Sequence, residues 1–147
     1  METLSLYILT LFTISITSCS VEPQPINWGK DACNFCKMNI VDKMHAAEYV
    51  TPKGKVFKYD AIECLVNELI DDGFPKRKFT LVSNYGGKGE FIDAANAYFL
   101  ISESIPSPMG GFLSAFSENT KAIKIQKESK GEILSWDELI LKYKTKK

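Results

Sequence analysis

Neither sign of charge prevails in this chain: Lys and Arg number 18, Asp and Glu also 18, and the formal net charge is zero. No basic stripe appears outside the Lys-rich C-terminal end, at Lys142, Lys144, Lys146 and Lys147. That is a solvated tail rather than a basic stripe, so no nucleic-acid partner is expected. Histidine occurs once, at His45. No acid, base or nucleophile constellation is visible, so no catalytic turnover is expected. The uncharged apolar run Leu4–Thr17 falls short of the roughly 20 residues that span a bilayer. Cysteine is sparse, at Cys19, Cys33, Cys36 and Cys64. What the chain does have is a hydrophobic content of 45%, with 12% aromatics. That suffices for one ordinary domain or two very small ones, and global disorder is excluded.

The apolar run ends in Ile16-Thr17-Ser18-Cys19, which resembles the signal of a bacterial lipoprotein. The resemblance implies that residues 1–18 are a signal peptide, cleaved before Cys19, and that Cys19 is the lipid attachment site. The mature chain would then be exported and membrane-anchored, facing the periplasm. A plain secretory signal and a buried N-terminal helix are the alternatives. Ser20–Gly29 contains two prolines and little periodicity, so residues 19–29 read as a short tether. With Cys19 lipidated, three thiols remain. An odd count cannot be fully paired, which excludes a disulfide framework and asks for another use, such as metal ligation.

Cys33-Asn34-Phe35-Cys36-Lys37-Met38 brings two thiols and a thioether into one short stretch. A Cys-x-x-Cys pair serves redox exchange, zinc binding or copper binding. Redox pairs sit at a helix N-terminus after a strand, whereas this pair precedes the first strand signal. A zinc site wants four ligands, which Cys33, Cys36, Cys64 and His45 could supply. Met38 favours Cu(I), because a thioether suits a soft monovalent ion and binds without losing a proton. Met109, in the turn Pro108-Met109-Gly110-Gly111, is a further candidate donor. Met44 reads as core filling. Cys64 is open between ligand and small buried thiol, and His45 between ligand and ordinary surface residue.

The pattern predicts an α+β fold. Strand-like runs at 46–50 and 55–59 flank the turn Thr51-Pro52-Lys53-Gly54. Asp60 is placed to cap a helix from Ala61 to about Asp71, with Ile62, Leu65, Val66, Leu69 and Ile70 at helical spacing. A strand at 79–83 completes β-β-α-β. The order recurs with strands at 97–101 and 112–116, a helix capped from 117–120, an element at 133–136 and a C-terminal helix over 136–144. Two tandem units are therefore expected, 30–84 with the sulfur motif and 85–147 with the final helix, joined by a linker at 84–89.

Three segments in order resemble the NosL family: Cys33–Met38, then Gly54–Cys64 (GKVFKYDAIEC), then Pro108–Phe116 (PMGGFLSAF). Members are copper-binding lipoproteins that help load the copper centres of nitrous oxide reductase. The resemblance covers Asp31 to about Phe116 and implies two small β-β-α-β units. It also implies a Cu(I) site at Cys33, Cys36 and Met38, with Met109 as an extra donor. Its partners would be copper donor and acceptor proteins, including nitrous oxide reductase or its maturation ABC complex. Where members commonly carry Gly between the second Cys and the Met, this chain has Lys37, a difference of backbone freedom rather than of ligand supply. The competing readings are a membrane-anchored thiol-disulfide oxidoreductase and a zinc-binding lipoprotein.

Overall fold

Strand β1, Ala47–Val50, is buried along its whole length, which requires cover on both faces. In the computed structural model of the chain, which describes residues 20–146, β1 lies between β2 (Val56–Tyr59) and β3 (Phe79–Ser83), antiparallel to both. Helix α1 (Ile62–Asp71) buries Ile62, Leu65, Val66 and Leu69 in one cluster with Ala47 and Tyr49 of β1, as its apolar spacing predicts. It ends at Gly73, whose φ of +68° glycine adopts without penalty, while the Phe74 N–H donates to Leu69 O at 2.9 Å.

Glu48 alternates with Ala47 and Tyr49, so it points from the opposite face. There it accepts the Gln24 N–H at 3.0 Å. Its cross-strand partner Lys58 donates to Pro25 O at 2.8 Å. Ile26 is buried and Trp28 packs on the core. The expected tether is therefore corrected over its described part: the prolines break helix and strand, but the segment docks as a strap. Cys19 and the expected signal peptide, 1–18, lie outside the described residues.

The second half repeats the plan. Strand β5 (Tyr98–Ile101) lies between β6 (Leu113–Phe116) and β7 (Glu132–Leu134), antiparallel to both. Helix α2 (Asn119–Ser129) joins β6 to β7, and α3 (Trp136–Thr145) follows. In each unit the first strand is central and the strand after the helix takes its other edge. A capping box starts α3: Ser135 Oγ accepts from the Glu138 N–H, and the Glu138 carboxylate from the Ser135 N–H.

Two expectations fail locally. Strand β4 (Phe91–Asp93) extends the first sheet beyond β3, so that sheet runs past the boundary expected at 84/85. Three residues before a 3-10 turn at Ala94–Asn96 are too few to show a period. The expected linker is instead the β3–β4 turn, and it also joins the two sheets, because the Tyr85 N–H donates to Ala115 O of β6 at 2.7 Å. Neither α1 nor α2 has a side-chain cap, since their N-caps are Ala61 and Glu118.

One core unites both sheets. Tyr59 and Val82 of the first share it with Phe99, Leu113 and Leu134 of the second, and with Leu139 and Ile140 of α3. Phe99 is fully buried, with its ring 5.6 Å from Trp136. Urea unfolding is expected to follow a single transition by both fluorescence and circular dichroism. Phe99→Ala is expected to lower stability by about 3–5 kcal/mol and to shift both probes together.

Burial pushes the Glu48 carboxyl above its ordinary value of 4.5, against the opposing pull of the Gln24 N–H and Lys58. Its contribution to stability is complete below that value and is lost as pH rises through the higher folded-state value. Glu48→Gln keeps an acceptor for Gln24 and removes the buried charge. The variant is therefore expected to gain stability over the parent as urea midpoints are compared from pH 5 to pH 8.

Candidate metal centre

The sulfur motif sits at the tip of a narrow loop pinned at its base. Asp31 accepts from Lys58 Nζ at 2.7 Å and from the Asn27 N–H at 3.0 Å. These bonds, Lys58 first, hold its pKa down at about 2. Hydrogen bonds from Gly29 N–H to Ile40 O and from Ile40 N–H to Asp31 O join the two arms, and Ala32 bridges Asn39. At the tip, the Cys33 N–H donates to Met38 O at 2.8 Å and the Lys37 N–H to Cys33 O at 3.1 Å. Asn34 fastens the tip to the body, its N–H reaching Lys58 O at 2.8 Å and its Nδ2 reaching Glu68 Oε1 of α1 at 2.6 Å.

That docking carries the first thiol to the start of α1, where Cys64 occupies the first turn. The Sγ atoms of Cys33, Cys36 and Cys64 lie within 4.8 Å of one another. Sulfurs sharing one trigonally bound ion at roughly 2.3 Å stand about 4 Å apart, so a small contraction suffices. Cys33 and Cys64 are buried and Cys36 is half-buried, which leaves one side open for an ion to enter.

The three thiols are not equivalent. Cys33 is held well below the ordinary thiol value, chiefly by the Cys64 S–H that donates to it, with help from the backbone N–H groups of Asp60 and Cys36. Burial opposes this shift. Cys64 is pushed up, because it supplies that hydrogen bond and is itself buried. Cys36 is raised mainly by burial. The cluster therefore places its first negative charge on Cys33, at the helix end whose free N–H groups favour an anion. Loading a metal displaces the protons of the other two.

Asp60 is not the helix cap. Its carboxylate instead takes the Val41 N–H, and burial followed by the Cys33 charge raises its pKa. His45 is neither exposed nor part of the thiol cluster. It is buried, with Nδ1 2.8 Å from Asp42 Oδ2 and Nε2 3.2 Å from Ser114 Oγ. Met44, expected in the core, is 40% exposed. Met38 and Met109 are also exposed, at 45% and 41%. The Met38 N–H bonds the Cys36 sulfur. Met109 lies in a turn closed by the Gly110 N–H on Ser107 O at 3.0 Å.

A family model described as NosL matches residues 25–143. The chain belongs to the NosL family. A solved structure, the crystal structure of the copper chaperone NosL from Shewanella denitrificans, superposes on this NosL-family chain with a TM-score of 0.71 at 22% identity. The match covers 81% of this chain and 96% of that one, and it shows a shared fold. No curated protein sequence matches. No helix among the described residues is long and apolar enough to cross a membrane.

Sequence reasoning missed the partners of the acidic residues that set up the centre. Glu63 and Glu68 are buried on α1, and Asp60 immediately precedes its N-cap. The signal was there, since carboxylates beside the apolar stripe of a buried helix call for partners. The partners lie far away in sequence, at Asn34, Val41 and Ser107.

Lys37 takes a φ of +66°, the conformation that glycine adopts freely. Lys37→Val is expected to lower stability by about 1–2 kcal/mol, since a β-branched residue fits that region worst. Lys37→Gly is expected to be neutral or stabilising. Thermal melts of the metal-free protein check both.

Proposed function

We propose that this NosL-family protein is a Cu(I) metallochaperone and not an enzyme. Cys33, Cys36 and Cys64 are its thiol donors, and Met38 and Met109 supply thioethers. The observation that carries this reading is an all-sulfur cluster of three thiols whose Sγ atoms lie within 4.8 Å of one another, a donor set that suits soft ions such as Cu(I). The copper is cargo. Coordination by a few sulfurs leaves Cu(I) unsaturated, so an incoming thiolate or thioether can bind before the outgoing sulfur leaves. The ion is then never free. In this reading Cys19 carries the lipid and the protein faces the periplasm from a membrane. The acceptor is nitrous oxide reductase or its maturation ABC complex, in line with the family resemblance.

Two competing chemistries fit less well. A thiol-disulfide oxidoreductase needs an exposed, ionised attacking sulfur. Here the sulfur that most favours the anion, Cys33, is fully buried, and the more accessible Cys36 is raised. A four-ligand zinc site would draw on His45, both of whose nitrogens are engaged elsewhere.

Anaerobic titration of residues 20–147 with Cu(I), competed against a chelator, is expected to reach about one equivalent per chain. Joint Cys33→Ser and Cys36→Ser substitution is expected to weaken binding by about 100-fold or more. Absence of stoichiometric binding, or full retention in the double variant, would refute the function.

A further inference from the structure

The turn that carries Met109 is fastened to the protein from below by a residue outside the sulfur motif. Glu63 precedes Cys64 in the first turn of α1 and is 3% exposed. Its Oε1 accepts two hydrogen bonds from the Met109 turn, one from Ser107 Oγ and one from the Gly111 N–H at 3.1 Å. The contact is tight. A Cβ on Gly111 would stand 3.0 Å from the Glu63 carboxyl and 3.0 Å from the Tyr143 hydroxyl. Tyr143 packs over the same place from α3, and its pKa is pushed up to about 12, chiefly by burial. One carboxylate thus binds both sides of the turn 107–111, and the next residue along the helix is a thiol of the candidate centre.

We propose that Glu63 is a positioning residue: its two hydrogen bonds hold the Ser107–Gly111 turn, and with it Met109, against the helix turn that carries Cys64. This rests on the reading of Met109 as a copper donor. Met109 is 41% exposed, so burial of its own side chain does little to fix the turn. The latch restricts where the thioether can go, and ordering a donor in advance reduces the entropy lost when the metal binds. Glu63 Oε2 is buried without a hydrogen-bond partner among the described residues. A buried carboxylate with one oxygen unpaired is costly, consistent with a placement that serves the site rather than stability.

The test uses the full mature chain with Glu63→Ala, Glu63→Gln, Met109→Leu and the double variant Glu63→Ala/Met109→Leu. In metal-free protein, hydrogen exchange at the Gly111 amide is expected to accelerate in Glu63→Ala and to stay slow in Glu63→Gln, whose amide oxygen still accepts. Cu(I) affinity by chelator competition is expected to fall about tenfold in Glu63→Ala and to stay within about threefold in Glu63→Gln. The double variant should bind no more weakly than Met109→Leu alone, because the two changes remove one interaction. A purely structural Glu63 would give losses that multiply, and that result overturns the proposal. Unchanged Gly111 exchange in Glu63→Ala also overturns it. Should Glu63→Ala fail to fold, Ser107→Ala removes one of the two donors and is expected to give a smaller shift in both readouts, with no shift counting against the latch. Failure of the unsubstituted chain to bind Cu(I) would refute the proposed function, while Gly111 exchange, read without metal, decides the latch separately.

Discussion

A buried sulfur anion must be surrounded by donors, and the centre of this protein is built to meet that demand at Cys33. Isolated in a dry interior, the charge would be prohibitive. Here it is met by the Cys64 S–H and by the N–H groups of Cys36 and Asp60. Each donor comes from a different place: the loop tip, the approach to α1, and its first turn. The loop must therefore dock on the helix for the charge to be tolerated. Asp31 with Lys58, and Asn34 with Glu68, fix that docking. A soft cation entering beside the open flank of Cys36 would take over the work of the hydrogen bonds.

The same economy of contacts explains why the two β-β-α-β units are not independent. Each sheet has only three or four short strands, and so small a sheet gains from covering its apolar face against a neighbour. The sheets share one cluster, and the Tyr85 bond to Ala115 links their backbones. The Ser107–Gly111 turn belongs to the second unit, yet its hydrogen bonds end on Glu63 of the first. The junction between repeats thus brings chain segments of both to one end of α1.

Much of the fold was readable from periodicity. The strands at β1, β2, β3, β5 and β6, the apolar stripe of α1 and the repeated order all follow from spacing of apolar residues. The errors have specific physical sources. Strand β4 is too short to show alternation. Asp60 has the side chain of a cap, but a better use of its carboxylate lay across the chain at Val41. His45 reads in sequence as either a ligand or a surface residue, because nothing adjacent to it announces Ser114. Met44 looked apolar enough for the core, but its side chain stays 40% exposed.

Local sequence settled the kinds of donor available: two thiols and a thioether in a short loop, a third thiol on a helix, and a methionine in a glycine-bounded turn. These follow from residue type and spacing, which the chain carries wherever it goes. Folding alone decided that Cys64 joins Cys33 and Cys36, that His45 does not, and which thiol best favours the anion. Those outcomes depend on distances between segments remote in sequence and on the loss of water around them, and neither quantity exists until the loop, the helix and the second sheet have packed.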